Sequence, residues 1–278
     1  MIRYDRSTIS VPVVLRGCGA GPKERRKNDK HVANNELEKV KHLAYKHTEV
    51  RDALNALFGR KCVFCESSLL GNQPGDIEHF RPKGNVVAIN PTTGKEEFRA
   101  GYVWLAARWK NLLLSCADCN RPRRQADSVG HVRTMGKGCY FPLADEALRA
   151  TSAHGVRRER PLLINPCMDN PDEHLEFTEL GGILPKYGAA GASARGEATI
   201  KYCGLDRAEL VEMRLRHRRT VMAAIRHIID ALEHDREPGE DLDDLVELLR
   251  PTSSYVAFTR HLVRVKLGPY VTALGITA

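Results

Sequence analysis

Apolar residues between Asn35 and Phe58 recur at three- and four-residue intervals: Leu37, Val40, Leu43, Ala44, Val50, Leu54 and Leu57. That spacing predicts an amphipathic helix, and Gly59 is a ready stop for it. A longer stripe of Leu210, Met213, Val221, Ile225, Ile228, Ile229 and Leu232 predicts a second helix buried along one face. Gly204 ends the piece before it, and Asp206 with Glu209 suits its start as a loose capping box. LDDLVELLR and TSSYVAFTRHLVRVKL complete a small helical bundle, and the basic run RLRHRR reads as an exposed helix face or a contact for nucleic acid or a partner. Elsewhere the pattern shortens. ISVPVVL reads as a strand, 84–100 as a hairpin turning at TTG, and GCYFPL, RPLLINP and HLEFTELGGILP as strands or extended loops. Tyr102, Trp104, Leu105 and Trp109 recur near helical spacing, and packing in the core explains them better than base stacking. KERRKNDKH reads as a solvated linker rather than a phosphate contact through Arg25, Arg26, Lys27 and Lys30, and the Gly/Ala-rich 186–197 as a second linker. The expected organisation is an N-terminal strand and helix (1–58), a central core (59–185) and a C-terminal helical region (186–278), in the α+β class.

The 278 residues carry a net charge of +8, which favours a polyanionic partner without proving one. No apolar run is long enough to cross a membrane. MIRYDRSTIS has no apolar stretch of the secretory kind. The cysteine usage suits a reducing compartment, so a cytoplasmic location is expected.

The chemistry concentrates between Cys62 and Arg124. Cys62 and Cys65 form one C-x-x-C pair, and Cys116 and Cys119 another. Two such turns supply four thiolates to one tetrahedral Zn²⁺, and a site closed in this way is structural. Disulfides or free buried thiols are the weaker alternative. About fifty residues separate the pairs, more than a small zinc ribbon uses, which leaves room for a functional insertion. That insertion holds GDIEHFRPK. His79 suits a general base near neutral pH. Asp76, Glu78 and the amide of Asn120 are hard oxygen donors of the kind Mg²⁺ or Mn²⁺ prefers. Arg121, Arg123 and Arg124 follow Asn120, where a helix start would draw phosphate to its free N–H groups. Arg81 and Lys83 lie across from them, and the five are expected to line a nucleic-acid groove. Asp169, Asp172, Glu173 and His174 read as an acidic turn capping a strand rather than a second metal site.

The run E-H-F-R-P followed by W-K-N-L-L-L-S-C-x-x-C-N resembles the HNH endonucleases with the ββα-metal fold. The resemblance implies a nuclease core in which His79 is the base, Glu78 and Asn120 hold the catalytic ion, and Asn111 holds the loop. Glu stands where Asp or His is commoner, and Asn where His is commoner, so the preferred ion is open between Mg²⁺ and Mn²⁺. In a regular strand Asp76 and Glu78 share one face and His79 points away. A bulge or turn near His79 is therefore expected; without one, Asp76 is a second ligand or a solvated side chain. Further matches in order (YFPL, LLINPCMDNPDEHLEF, GGILP, ATIKYCGLDRAEL) resemble the PtuB-like HNH subunits of Septu-type and retron-associated anti-phage systems. That resemblance spans roughly residues 34–265. It implies an SMC/ABC-like ATPase partner, with a retron reverse transcriptase and its msDNA as a further candidate. The target it implies is nucleic acid, DNA favoured, with tRNA as the alternative substrate. A non-catalytic zinc module that binds nucleic acid or protein is the reading from another class.

Overall fold

The computed structural model describes every residue except 72–73, 91, 272–273 and 276–278. It mixes helices with five small two-stranded antiparallel sheets. The N-terminal part folds through short 3-10 turns, α1 (Ala20–Ala33) and α2 (Thr48–Phe58). ISVPVVL does not form a strand: Pro12 precedes a 3-10 turn at Val13–Leu15 that buries Val14 and Leu15. The supposed linker KERRKNDKH is the body of α1. Its Lys, Arg and Glu residues favour helix, and tertiary bonds hold it. Asn28 is buried and exchanges hydrogen bonds with the backbone of Lys41, while the Glu24 carboxylate accepts from the N–H groups of Leu43 and Ala44. Those same bonds keep residues 41–44 out of an α-helix, so the predicted 35–58 helix becomes two 3-10 turns, Leu37–Lys39 and Ala44–Lys46, followed by α2. α2 closes as expected at Gly59, which adopts φ +61° and returns its N–H to Asn55.

The central region begins with β1 (Asp76–His79). A hairpin of β2 (Asn85–Ile89) and β3 (Glu96–Ala100) follows. The aromatic stripe forms two 3-10 turns, Val103–Leu105 and Trp109–Asn111, with Trp109 buried and Trp104 half-buried. β4 (Leu112–Ser115) returns to pair with β1, and one helical turn, α3 (Ala117–Asn120), leaves it. β4 is buried throughout, so the β1–β4 pair is the centre of the core. The helix expected to begin after Asn120 is absent. Pro122 holds the preceding residue extended, and β5 (Arg123–Ala126) pairs instead with β6 (Val132–Met135). β7 (Leu175–Phe177) and β8 (Ile183–Pro185) form the next hairpin.

The supposed linker at 186–197 folds as a minimal hairpin of β9 (Tyr187–Gly188) and β10 (Gly191–Ala192), then opens α4 (Ala194–Cys203). Ser193 caps that helix by accepting from the N–H of Gly196. Gly204 ends it at φ +58°. α5 (Ala208–Glu233), α6 (Gly239–Leu249) and α7 (Val256–Leu267) form the bundle. The capping box at Asp206 is not made: Arg207 is the N-cap residue, and Asp206 pairs with Arg133 at 2.6 Å. Among the described residues, no helix is long and apolar enough to cross a membrane.

The bundle joins the core through buried polar contacts. Lys61 donates to the Ser253 carbonyl at 2.7 Å, and the Glu66 carboxylate accepts from the Ala257 N–H at 3.1 Å. From the basic run on α5, Arg214 turns inward instead of facing water. Its guanidinium donates to the carbonyls of Gly181 and Leu205 at 3.1 and 3.0 Å and sits over the Phe177 ring. Burial lowers its pKa to about 10, so it enters the core charged. Arg214→Ala would leave two carbonyls unpaired and open a cavity. A loss of about 3 kcal/mol is expected, read as a lower urea midpoint with an unchanged slope.

Candidate metal centre and strand-end site

Four cysteines from two distant turns meet beneath the β1–β4 pair. The first turn closes when Cys62 N–H donates to the Ser67 carbonyl and Glu66 N–H to the Cys62 carbonyl, both at 2.9 Å. Val63 N–H donates to the Leu114 carbonyl at 2.9 Å and ties that turn to β4. The second turn is α3, with Cys116 as its N-cap residue and Cys119 N–H donating to the Cys116 sulfur at 3.4 Å. All four sulfurs are buried, unbonded to one another, and lie within 4.8 Å of each other. Cys65 and Cys116 are 3.7 Å apart. A tetrahedral zinc with sulfurs at about 2.3 Å would separate them by about 3.8 Å. The cluster therefore fits a structural ion such as zinc.

Arg207 completes this centre, and sequence reasoning missed it. Its guanidinium is buried and donates to Cys119 Sγ at 3.5 Å and to Cys116 Sγ at 4.0 Å. Burial alone would weaken its charge, but the sulfurs beside it outweigh burial and hold its pKa above the ordinary arginine value. Four thiolates around a divalent ion carry an excess of two negative charges, and one buried guanidinium offsets half of it. Nothing in the local sequence marks Arg207, because the contact is long-range.

The predicted catalytic residues gather at β1, in pairs that the sequence does not announce. Asp76 meets Asn120, whose Nδ2 donates to Oδ2 at 3.0 Å. Arg121 grips the same carboxylate at 2.8 and 2.9 Å and holds Asp76 below the usual carboxylate range. Glu78 meets Lys137 instead, at 2.6 Å, and Lys137 also donates to the His79 carbonyl at 2.9 Å. Burial pushes the Glu78 carboxyl upward while Lys137 pulls it back. Lys137 is fully buried and was not anticipated. Its backbone N–H donates to the Cys119 carbonyl at 2.8 Å, so it links the acid strand to the cysteine cluster.

His79 is buried, with its Nε2 3.0 Å from the Ala106 carbonyl and its ring edge-on to Tyr45 at 4.6 Å. That carbonyl requires the proton on Nε2, which leaves the Nδ1 lone pair free to accept. Burial, then the nearby Lys83, lowers the imidazole pKa to about 3, so the ring is neutral. The register of β1 against β4 is unbroken from Asp76↔Ser115 to His79↔Leu112, and the expected bulge is not formed. Strand alternation thus separates His79 from the acids. Tyr45, edge-on to His79, has its pKa raised by burial first and then by the charges of Glu78 and Asp76. Asn111 clasps the strand exit: its amide accepts from Arg81 N–H at 2.8 Å and donates to the Arg81 carbonyl at 2.9 Å.

The five basic residues divide. Arg81 is committed to the buried Glu159 at 2.7 Å, Arg121 to Asp76, and Arg123 to Asp118. Lys83 lies 5.0 Å over the Tyr45 ring, and Arg124 is exposed. Among the described residues neither makes an ion pair. Arg123 and Arg124 line a cleft of about 410 Å³ with Arg207 at its base. No helix N-terminus contributes there, because α3 starts before Asn120 rather than after it. Asp169 is held by Arg195 and caps the Asn165 turn, and His174 bonds Ser193, so the acidic segment at 169–174 is a structural turn.

The chain is 38% identical to Septu protein PtuB of Bacillus mycoides (strain KBAB4) over 191 residues, 68% of its own length. It is a relative of the Septu proteins. It spans 57% of the length of that PtuB. It is also 31% identical to Septu protein PtuA of the same strain over 159 residues, which is 56% of this chain and 19% of PtuA. Together the two matched stretches exceed the length of the chain, so they overlap along it. No family model matches the chain, and no solved structure matches it significantly.

Metal analysis of the purified protein should return one zinc per chain. Arg207→Gln should weaken zinc retention about 10- to 100-fold, measured by competition with a chromophoric chelator. Equal retention by both proteins would remove Arg207 from the metal centre.

Proposed function

We propose that the chain is a metal-dependent HNH endonuclease that hydrolyses phosphodiester bonds in an anti-phage system, gated by an SMC/ABC-like ATPase partner. The observation that carries the reading lies along β1. A neutral His79, oriented by the Ala106 carbonyl, and the contacting pair Asp76 and Asn120 lie at the two ends of this four-residue strand. A structural zinc module needs neither feature. The kinship with Septu protein PtuB points the same way, and the stretch shared with PtuA is consistent with two proteins that work in one system.

The residues fit a hard divalent ion. Asp76 offers a carboxylate, and the Asn120 amide, turned about its last bond, offers a carbonyl oxygen beside it. Arg121 now neutralises that carboxylate from an exposed position and is free to move onto phosphate. Asp76 and Asn120 are the better pair for Mg²⁺ or Mn²⁺, since Glu78 is occupied by Lys137. Such an ion supplies Lewis-acid stabilisation of the phosphate and the departing oxygen. His79 accepts the proton of the attacking water at Nδ1, and the Ala106 carbonyl stabilises the imidazolium that results. Lys137 keeps Glu78 and the His79 backbone fixed, so the base does not have to reorganise as charge develops. Asn111 holds the turn that carries Arg81 and Lys83.

His79→Ala should lower cleavage about 10²- to 10⁴-fold. Asp76→Asn should raise the Mn²⁺ concentration needed, whereas Glu78→Gln should act mainly through stability. The assay compares supercoiled plasmid, single-stranded DNA and tRNA, with ATP and the ATPase partner present. Equal cleavage by wild type and His79→Ala would overturn the reading, and cleavage confined to tRNA would reassign the substrate.

A further inference from the structure

A cavity of about 660 Å³ is lined by residues of α1, the β2–β3 hairpin and the Val103–Leu105 turn, and no part of the proposed mechanism uses it. Its volume lies in the range of small-molecule sites, about 300–1,000 Å³. One wall is aliphatic, made by Val32, Leu37 and Val40, and Leu37 is 60% exposed there. The half-buried indole of Trp104 also lines the cavity. A surface of this kind suits a flat apolar ring.

The polar groups favour a particular ring. His42 and Trp104 both line the cavity, and His42 Nδ1 and Trp104 Nε1 are buried without a hydrogen-bond partner. An unpaired buried group of this kind costs about 1–3 kcal/mol, which a heteroaromatic edge would relieve on a small rotation of either side chain. Lys83 stands at the lining with its ammonium half-buried and with no ion pair among the described residues. It contacts the face of Tyr45, the same ring that meets His79. A phosphate on Lys83 would therefore lie near the histidine.

We propose that this cavity binds a nucleoside phosphate, the base against Trp104 and the aliphatic wall and the phosphate on Lys83, and that the occupant is one unstacked nucleotide of the strand being cut. The second part rests on the nuclease reading; the first does not. Single-stranded or unpaired segments are then preferred over intact duplex, because a stacked base does not enter.

Gly84 provides the test. It lines the cavity, and a Cβ built on it would meet no atom within 4 Å. Gly84→Leu should therefore occupy the space without disturbing the fold, which its melting temperature would check. Two probes are titrated into wild type, Gly84→Leu and Lys83→Ala, all in the His79→Ala background so that nothing is cut. One is the set of four nucleoside monophosphates, followed by tryptophan fluorescence. The other is a twelve-nucleotide single strand with 2-aminopurine or an abasic site at each position in turn. Filling the cavity should weaken strand binding about 5- to 150-fold, as expected for loss of one stacked base. An abasic site at one position should weaken wild type equally and leave Gly84→Leu unaffected. If monophosphates bind and strand binding ignores Gly84→Leu, the site serves a free nucleotide and the substrate part falls. If neither probe senses Gly84→Leu or Lys83→Ala, the whole proposal falls. Cleavage by the otherwise wild-type protein is measured separately: metal-dependent cutting untouched by Gly84→Leu keeps the nuclease and removes the pocket, and Gly84-sensitive binding without any cutting does the reverse.

Discussion

The meeting of four sulfurs from two turns about fifty residues apart is the constraint on which the structure depends. Thiolates packed this closely repel one another, so the cluster calls for a cation at its centre and tolerates another at its edge. Arg207 is that second cation, and it comes from the last third of the chain. One electrostatic requirement therefore joins the β1–β4 pair, α3 and the start of α5. The division into central and C-terminal parts does not give independent bodies: Lys61, Glu66 and Arg207 cross it with buried bonds.

The clamp also sets the register of the chemistry. Because Cys116 and Cys119 are fixed, Asn120 is delivered one turn later, against Asp76 at the start of β1. Because the Cys119 carbonyl holds Lys137, that ammonium is delivered against Glu78 and the His79 backbone. The acid next to His79 in sequence is thus a structural partner of lysine, and the acid three residues earlier is the one that meets the amide. Strand alternation alone leaves this open.

Features that depend on local signals were legible in the sequence. The C-x-x-C pairs, the glycine ends of α2 and α4, the β2–β3 hairpin and the bundle helices all come from spacing or turn chemistry within a few residues. Features that depend on distant partners were not. Residues 23–31 look like a solvated linker because the bonds of Asn28 and Glu24 to residues 41–44 are invisible locally. The arginine run after Asn120 suggested a helix start, but Pro122 and pairing with β6 make it a strand. Arg214 and Lys137 carry the most misleading signals: each looks like a surface charge, and each is buried where only the folded chain supplies carbonyls or a carboxylate.

The central proposal is that the sulfur clamp, by fixing Asn120 against Asp76, sets up a second, harder metal site on the strand that carries His79. A crystal soaked in Mn²⁺, with anomalous difference maps collected at the zinc and manganese edges, tests it directly. The account predicts a zinc peak inside the four sulfurs and a manganese peak within coordination distance of Asp76 and Asn120. Zinc in its place with no manganese at that pair, or with manganese on Glu78 after Lys137 has moved away, would contradict it.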